Sequence, residues 1–542
     1  MEKIADDLRE LCLKADEVNR DNLMTILSDN RDTEYGKKYG FSDIHSFEDY
    51  RKKVPLVKYD DLKDYIRRML DGEKNVLTAY PVNRYCSTSG TTGESKYIPM
   101  SDNDLDRKGL FTEDPKRLFL SSDEGKHLMI STFRTYSGLE GKKVFLLSEM
   151  YYKYIYDAGK LDPSIYVGGK DLFFVDEESP DIFYAKAAAA LACDDIRIIE
   201  CMFLYEVLNF FGYIERNWRM IVDGLRTHTL PDGLSVPENI RKYLLNINVS
   251  PERLDKIETE CGNGFKGIAK RLWNKLEIVN GIGSKRYLTE ETTLSEYLGD
   301  VSMQYYCYSC SECLIAVPPY LDECSYVMVL RTGAFEFLPY DTENEDITYQ
   351  PHELEPGKKY EPVITNFSGL YRYRLGDIIR VKSFIGKSPV IEFLFRKDQA
   401  INLAGEKIDL NQLELTVYDL RKKGLNVDKY CIGPVRLEVP GKYFSVISVQ
   451  NDPAAAHISD EAASELLDES LKQNSPDYKD LRGLGHIGKP EVLVCTDKEY
   501  EIFSELTGLE SGRTHGKAKH IYHEEVPKEE WKRIINDIRK QQ

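Results

Sequence analysis

The stretch STSGTTGESK, Ser87 to Lys96, decides how the rest of the chain is read. Its two glycines stand among Ser and Thr residues. They let the backbone approach an anion closely while N–H and O–H groups donate to it, and Lys96 adds a positive charge. Strands are expected on either side, at Asn83–Ser87 and Tyr97–Met100, so the stretch reads as a turn that cradles a nucleotide phosphate. It is not a Walker A loop, which needs GxxxxGK[ST] at the opening of a helix. The plain alternative is a polar hairpin turn.

Upstream, Ile4, Leu8, Leu11, Ala15 and Val18 recur at three- and four-residue spacing, which predicts an amphipathic helix. FEDYRKKVPLVKYDDLKDYIRRMLDGEKN predicts a short helix, an extended Val54–Val57 and a second helix closing near Gly72. Downstream, helical stretches (Ala185–Ala192, Leu204–Arg219, Glu238–Leu245) alternate with short apolar runs (Lys143–Leu147, Ile196–Phe203, Leu276–Asn280), the pattern of an α/β domain. From Leu314 the chain turns β-rich, with strands expected at Tyr326–Leu330, Phe335–Pro339, Val363–Asn366, Ile378–Ser383 and Ile391–Phe395. After Arg396 a smaller α+β unit begins: helix Leu410–Arg421, strand Tyr443–Val449, helix Asp460–Leu471, strand Glu491–Cys495 and terminal helical segments. The expected division is therefore 1–397 and 398–542. No internal repeat is visible.

The 542 residues exceed one ordinary domain, and 42% hydrophobic with 30% charged residues is a globular balance. A net charge of −18 repels duplex nucleic acid and anionic membranes, and no run of five Lys or Arg residues offsets it. No apolar run approaches the ~18 residues that span a bilayer. MEKIADDLRE lacks the apolar core of a secretory signal, and Lys540-Gln541-Gln542 is not a receptor-read address, so the cytoplasm is the expected location. Eleven cysteines, an odd number in a large chain, argue against a disulfide framework. Nothing points to an obligate protein partner.

Two further segments carry chemistry. YYCYSCSECLIAV, Tyr305 to Val317, sets Glu312 just before an apolar strand, where a carboxylate beside phosphates suits Mg²⁺; the alternative is a surface glutamate. YRYRLGD, Tyr371 to Asp377, ends in Gly-Asp before a strand, where the carboxylate suits ribose hydroxyls; the alternative is an ordinary turn aspartate. Cys307, Cys310 and Cys313, with Cys324 downstream, have spacing compatible with zinc or an iron–sulfur cluster. They overlie the Glu312 segment and lead into a strand, so buried small thiols are the preferred reading. His515, His520 and His523 lack a carboxylate or thiolate partner at helix spacing and read as ordinary polar residues.

Taken in order, VPLVKYDDLKDYIRRMLDGEKN, STSGTTGESK, Tyr308-x-x-Ser311-Glu312 and Tyr373-Arg374-Leu375-Gly376-Asp377 resemble the Gretchen Hagen family of auxin-responsive acyl acid amido synthetases, within the adenylate-forming superfamily. The resemblance covers essentially the whole chain. It implies a mixed α/β fold: a large N-terminal domain with a β-barrel and β-sheets flanked by helices, and a small mobile α+β C-terminal domain. It places Ser89, Gly90, Thr91, Thr92, Gly93 and Lys96 on the phosphate turn and Tyr308 by the adenine, with Ser311 a nucleotide-binding residue of the same motif. Glu312 lies by Mg²⁺, Asp377 on the ribose, Arg396 near the nucleotide and Asp398 at the hinge in FRKDQAINLAGEKIDLNQLE. In GRTHGKAKH the catalytic lysine is Lys517 or Lys519, with Lys517 preferred because Gly516 precedes it. Cys310 stands where the plant pattern has serine, and the plant Lys-Thr-Pro-Arg ending is missing.

The activity so implied uses ATP and Mg²⁺ to turn a carboxylic acid into an acyl-adenylate, which an amine, expected to be an amino acid, then attacks. Lys96, Glu312 and Lys517 carry the chemistry of the first step, which needs charge neutralisation and in-line positioning. An acyl-CoA ligase shares that step and differs in its acceptor; a non-catalytic nucleotide-binding protein is the third reading. The acyl pocket is expected within residues 105–300, where Tyr151, Tyr152, Tyr154, Tyr156, Phe173, Phe174, Phe210 and Phe211 suit either an aryl acid or a packed core, with core preferred.

Overall fold

The computed structural model describes the chain outside residues 1–5, 89–95, 110–119, 121–123, 135–143, 146, 177–178, 180, 283–293, 341–346, 398–400, 402, 404–405, 407, 439, 450–457, 484, 486, 508, 510–520, 523–525 and 542. Two compact units emerge. The first is built chiefly from Met1–Ser284, Thr289–Leu375 and Ile379–Phe393; the second chiefly from Gly376–Ile378 and Leu394–Gln542. No described helix is long and apolar enough to cross a membrane.

The first unit begins with two helices, Asp6–Leu13 and Ala15–Asn30, where one was expected. The break at Lys14 has a tertiary cause: the Cys12 carbonyl accepts from Lys387 N (2.8 Å), and Asp16 pairs with Lys387. The approaching turn needs Gly386, which lies at φ 59°, and a Cβ there would meet Cys12 O at 2.7 Å. The second helix buries Ala15, Asn19, Leu23, Ile26 and Leu27, a stripe at helical spacing.

Strands β1 (Val82–Thr88) and β2 (Lys96–Ser101) form an antiparallel hairpin, with β4 (Val144–Phe145) parallel to β1. A parallel sheet follows in the order β3 (Lys126–Met129), β5 (Ile196–Phe203), β6 (Ile278–Ile282), β7 (Ser302–Tyr305). One face, with Leu128, Ile199, Val279 and Tyr305, joins a core built with helices Ile182–Ala192, Leu204–Thr227 and Pro251–Gly262. On the other, Met129, Glu200, Asn280 and Gln304 stand in register, and Met129 packs with Phe133, Tyr151, Tyr152, Phe173 and Phe174. A larger antiparallel sheet runs β11 (Gly333–Pro339), β12 (Lys359–Asn366), β14 (Asp377–Ile385), β15 (Ser388–Arg396), β10 (Tyr326–Met328), β9 (Leu314–Val317), β8 (Tyr308–Ser309), with β13 (Tyr373–Arg374) on β12. The expected strand Tyr326–Leu330 stops at Met328 because a 3₁₀ turn, Leu330–Thr332, takes over.

In the second unit β17 (Lys442–Val449) is flanked by β16 (Val427–Val435), antiparallel, and β18 (Glu491–Thr496), parallel. Alternate residues serve two cores: Ile432, Tyr443 and Val492 pack with helices Leu410–Lys422 and Asp460–Asn474, and Cys431, Phe444 and Leu493 with Asp497–Thr507 and Lys528–Gln541. β16 was not among the expected strands; its Pro434 is tolerated because β16 ends the order of its sheet, where a missing N–H costs least.

Candidate functional site

The β1/β2 register pairs Thr88 with Lys96, the residues on either side of 89–95. Ser89, Gly90, Thr91, Thr92 and Gly93 lie outside the described residues, as do Asp398, Lys517 and Lys519. Lys96 Nζ stands 5.7 Å over the Tyr59 ring, a cation–π distance. The Tyr59 hydroxyl accepts from Tyr97 N (2.9 Å), which moors β2 to the helix Tyr59–Leu70.

Ser311 and Glu312 form the tip of the β8/β9 hairpin, closed by Cys310 N to Cys313 O (2.9 Å) and Cys313 N to Cys310 O (3.3 Å). Tertiary folding sets this tip against the first hairpin: Cys86 Sγ of β1 donates to Ser311 Oγ (3.2 Å). Glu312 is buried, and its carbonyl accepts from Asn366 Nδ2 (2.9 Å). The Tyr308 ring lies 6.3 Å from that of Tyr326 and 5.8 Å from that of Phe393.

Beneath these residues is a buried polar group that the sequence reading missed. Lys108 Nζ donates to Ser311 O (3.0 Å) and pairs with Asp104 at 3.2 Å, both side chains being buried. Burial works against the Lys108 charge, but Asp104 and the thiols of Cys313, Cys310 and Cys86 more than offset it, so its pKa is raised. Ser101 Oγ holds Asp104 N (3.2 Å), and Ser368 Oγ accepts from Ser101 N (3.1 Å). In DNDLDRKG the only signal is Asp104 and Lys108 at i,i+4 spacing, which ordinarily marks a solvated helix face.

Burial pushes the Cys86 thiol up to about 11 and the Cys313 thiol up to about 12. Cys313 Sγ lies 3.0 Å from Thr332 Oγ1, Cys324 Sγ lies 3.2 Å from the Tyr326 hydroxyl, and Cys307 packs in a separate apolar cluster. Among the described residues no group of three or more His, Cys, Asp or Glu side chains is arranged to hold a metal ion.

The YRYRLGD segment divides its labour. Tyr371 donates to Leu77 O (2.6 Å) and stacks on Tyr35. Arg372, at φ 45°, is buried against Glu336 (3.0 Å) and donates to Val54 O (2.8 Å). Arg374 pairs with Glu361 (2.8 Å). Both arginines thus clamp structure, and the extended Val57 bridges Tyr373. Within the second unit, Arg396 Nε donates to Asp377 Oδ1 (2.8 Å), so two expected nucleotide residues meet.

Of the aromatics in this region, Tyr151, Tyr152, Phe173 and Phe174 pack together in a buried cluster and Phe210 and Phe211 are fully buried behind the parallel sheet, while Tyr154 and Tyr156 are half-buried at the margin of that cluster. At the carboxyl ends of β3 and β5, however, Lys186 Nζ donates to Met129 O (2.8 Å) and Ser131 O (2.7 Å), and Ser131 Oγ donates to Glu206 Oε2 (2.5 Å). Burial lowers the Lys186 pKa to about 7 and pushes that of Glu206 up. A single lysine inside FYAKAAAALA was the available signal.

Family models described as GH3 family N-terminal, central and C-terminal domains match residues 4–303, 326–396 and 411–522. Indole-3-acetic acid-amido synthetase GH3.3 of Arabidopsis thaliana is 28% identical over 462 residues, 80% of this chain and 77% of that protein. Indole-3-acetic acid-amido synthetase GH3.8 of Oryza sativa subsp. indica is 28% identical over 481 residues, 83% and 78% of the two chains. The solved AtGH3.15 acyl acid amido synthetase in complex with 2,4-DB superposes with a TM-score of 0.80 at 22% identity, covering 98% of this chain and 95% of that one, and shares the fold. The chain belongs to the GH3 family.

Proposed function

We propose that this member of the GH3 family is an ATP-dependent, AMP-forming acyl acid amido synthetase, which activates a carboxylic acid as its acyl-adenylate and transfers the acyl group to an amino acid. The observation that carries the reading is the contact between the phosphate hairpin and the Glu312 tip through Cys86 and Ser311, in a chain whose family models match the segments that carry Lys96 and Asp377 on either side of that tip. A carboxylate resists nucleophiles because of its charge, and adenylation removes that charge. The step needs cations and donors aimed at the phosphates more than it needs a general base.

Ser89–Gly93 and Lys96 bind the β- and γ-phosphates. Glu312 supplies a hard oxygen donor, and a buried carboxylate at a hairpin tip whose carbonyl is already engaged fits Mg²⁺, which takes one or two carboxylates with phosphate oxygens. When bound, the ion would neutralise phosphate charge. Tyr308 lies by the adenine, and Ser311 of the same motif binds the nucleotide. Asp377 accepts the ribose hydroxyls and Arg396 orients it. Lys517 bridges the acid carboxylate and the α-phosphate, and Asp398 is the pivot of a C-terminal domain of residues 398–542.

Acid-dependent ATP–pyrophosphate exchange across a carboxylic-acid panel, with and without the twenty amino acids, tests the reading. No exchange with any acid would leave only nucleotide binding. Consumption of a preformed acyl-adenylate by coenzyme A, and not by amino acids, would make the chain an acyl-CoA ligase.

A further inference from the structure

The tip carrying Ser311 and Glu312 is one that its own sequence does not favour. A two-residue hairpin turn matches the twist of its strands when its central residues lie at positive φ, hence the preference for Asn-Gly and Asp-Gly. Here the central residues are Ser and Glu, and neither lies at positive φ. The pairing slips accordingly, with a register shift between Tyr308 and Ser309. The direction of Glu312 is therefore set from outside the turn.

Two buried donors do this, one for each tip carbonyl. Lys108 Nζ holds Ser311 O at 3.0 Å, and Asn366 Nδ2 holds Glu312 O at 2.9 Å. Each donor is itself fixed. Asp104, wholly buried, pairs with Lys108, and Ser101 Oγ holds the Asp104 N–H. Asn366 Oδ1 accepts from Ser368 N and Leu370 N, both at 3.0 Å. Lys108 follows the phosphate hairpin in the chain and Asn366 precedes YRYRLGD, so the tip is referenced to both.

We propose that Lys108 and Asn366 are positioning residues that aim the Glu312 carboxylate, with Asp104 anchoring Lys108. The proposal rests on Glu312 serving the Mg²⁺ of ATP. Neither residue touches substrate; each acts through the tip carbonyls. Residues that orient a metal ligand in this way typically change metal affinity by about 10–100-fold when lost.

The test is calorimetric Mg²⁺ titration in the presence of a non-hydrolysable ATP analogue, together with the Mg²⁺ midpoint of pyrophosphate exchange. Asp104→Leu/Lys108→Met removes the donor without stranding a buried charge, whereas Asp104→Asn/Lys108→Gln keeps an amide donor. The first should raise the Mg²⁺ midpoint about tenfold with the KM for the acid unchanged, and the second should stay near wild type. An unchanged midpoint in a folded Asp104→Leu/Lys108→Met protein overturns the proposal. Should that variant not fold, Asn366→Asp keeps the acceptor for Ser368 N and Leu370 N and replaces the donor to Glu312 O with a carboxylate oxygen that repels it. It should raise the midpoint similarly, and no rise overturns the proposal. Glu312→Gln separates the two levels: if it leaves the midpoint unchanged, the assignment of Glu312 fails first.

Discussion

Lys186 makes the stability of the first unit depend on pH in an unusual direction. Its ammonium is 1% exposed inside the alanine-rich helix Ile182–Ala192, and burial lowers its pKa to about 7. In the unfolded chain an ordinary lysine titrates near ~10.4. Between these values the unfolded state binds the extra proton, so stability rises with pH across the window from about 7 to about 10.4. Integrating from pH 7.5 to 9.5 gives about 2 kcal/mol of added stability from this one side chain. Glu206, pushed up by burial, has the opposite sign, its contribution falling as pH rises through its range, and so does not mimic the effect. The structure also supplies the probe: Trp273 Nε1 donates to Ala190 O (3.1 Å) and Cys193 O (3.0 Å), at the end of the same helix. Urea unfolding followed by tryptophan fluorescence at pH 7.5 and 9.5, in a Trp531→Phe background that silences the second unit, should show the rise. Lys186→Met should abolish it. That substitution strands Met129 O and Ser131 O at a cost of about 1–3 kcal/mol each, but that loss is independent of pH. A Lys186→Met protein with the same pH dependence as wild type would refute the buried-ammonium argument.

Asp377→Ala should raise the KM for ATP about 10–100-fold while kcat falls less, since a charged hydrogen bond contributes ~1.5–3 kcal/mol to ground-state binding; lost kcat with an unchanged KM would assign Asp377 another role. Lys517→Ala should slow acyl-adenylate formation by about 10²–10³-fold and spare transfer from a supplied adenylate, with Lys519→Ala mild. Single-turnover measurement of each half-reaction decides, and a crippled Lys519→Ala would move the catalytic lysine two residues along. Cys310→Ser should retain pyrophosphate exchange, and metal analysis of the wild type should find no stoichiometric zinc or iron; about one tightly bound ion per chain, lost in the mutant, would reverse the reading of the cysteines.

Local pattern alone specified the β1/β2 hairpin, the helices Tyr59–Leu70 and Glu238–Leu245, the strand Ile196–Phe203 and most of the α+β unit after Arg396. Periodicity, caps and turn residues act between neighbours in the chain, and that is where these elements draw their stability. The motif residues Lys96, Tyr308, Ser311, Glu312 and Asp377 were likewise visible, because each stands in a short run of unusual chemistry. What joins them was not. Cys86, Asp104, Lys108 and Asn366 come from three separate segments, and each alone reads as an ordinary thiol, a solvated charge or a strand-end amide. Lys186 looks like the one solvated residue of an alanine helix, yet it is held by two carbonyls of β3 and the residues beyond it. Burial and long-range pairing decided these cases, since the same charge is cheap in water and must find a partner once folding excludes it from solvent.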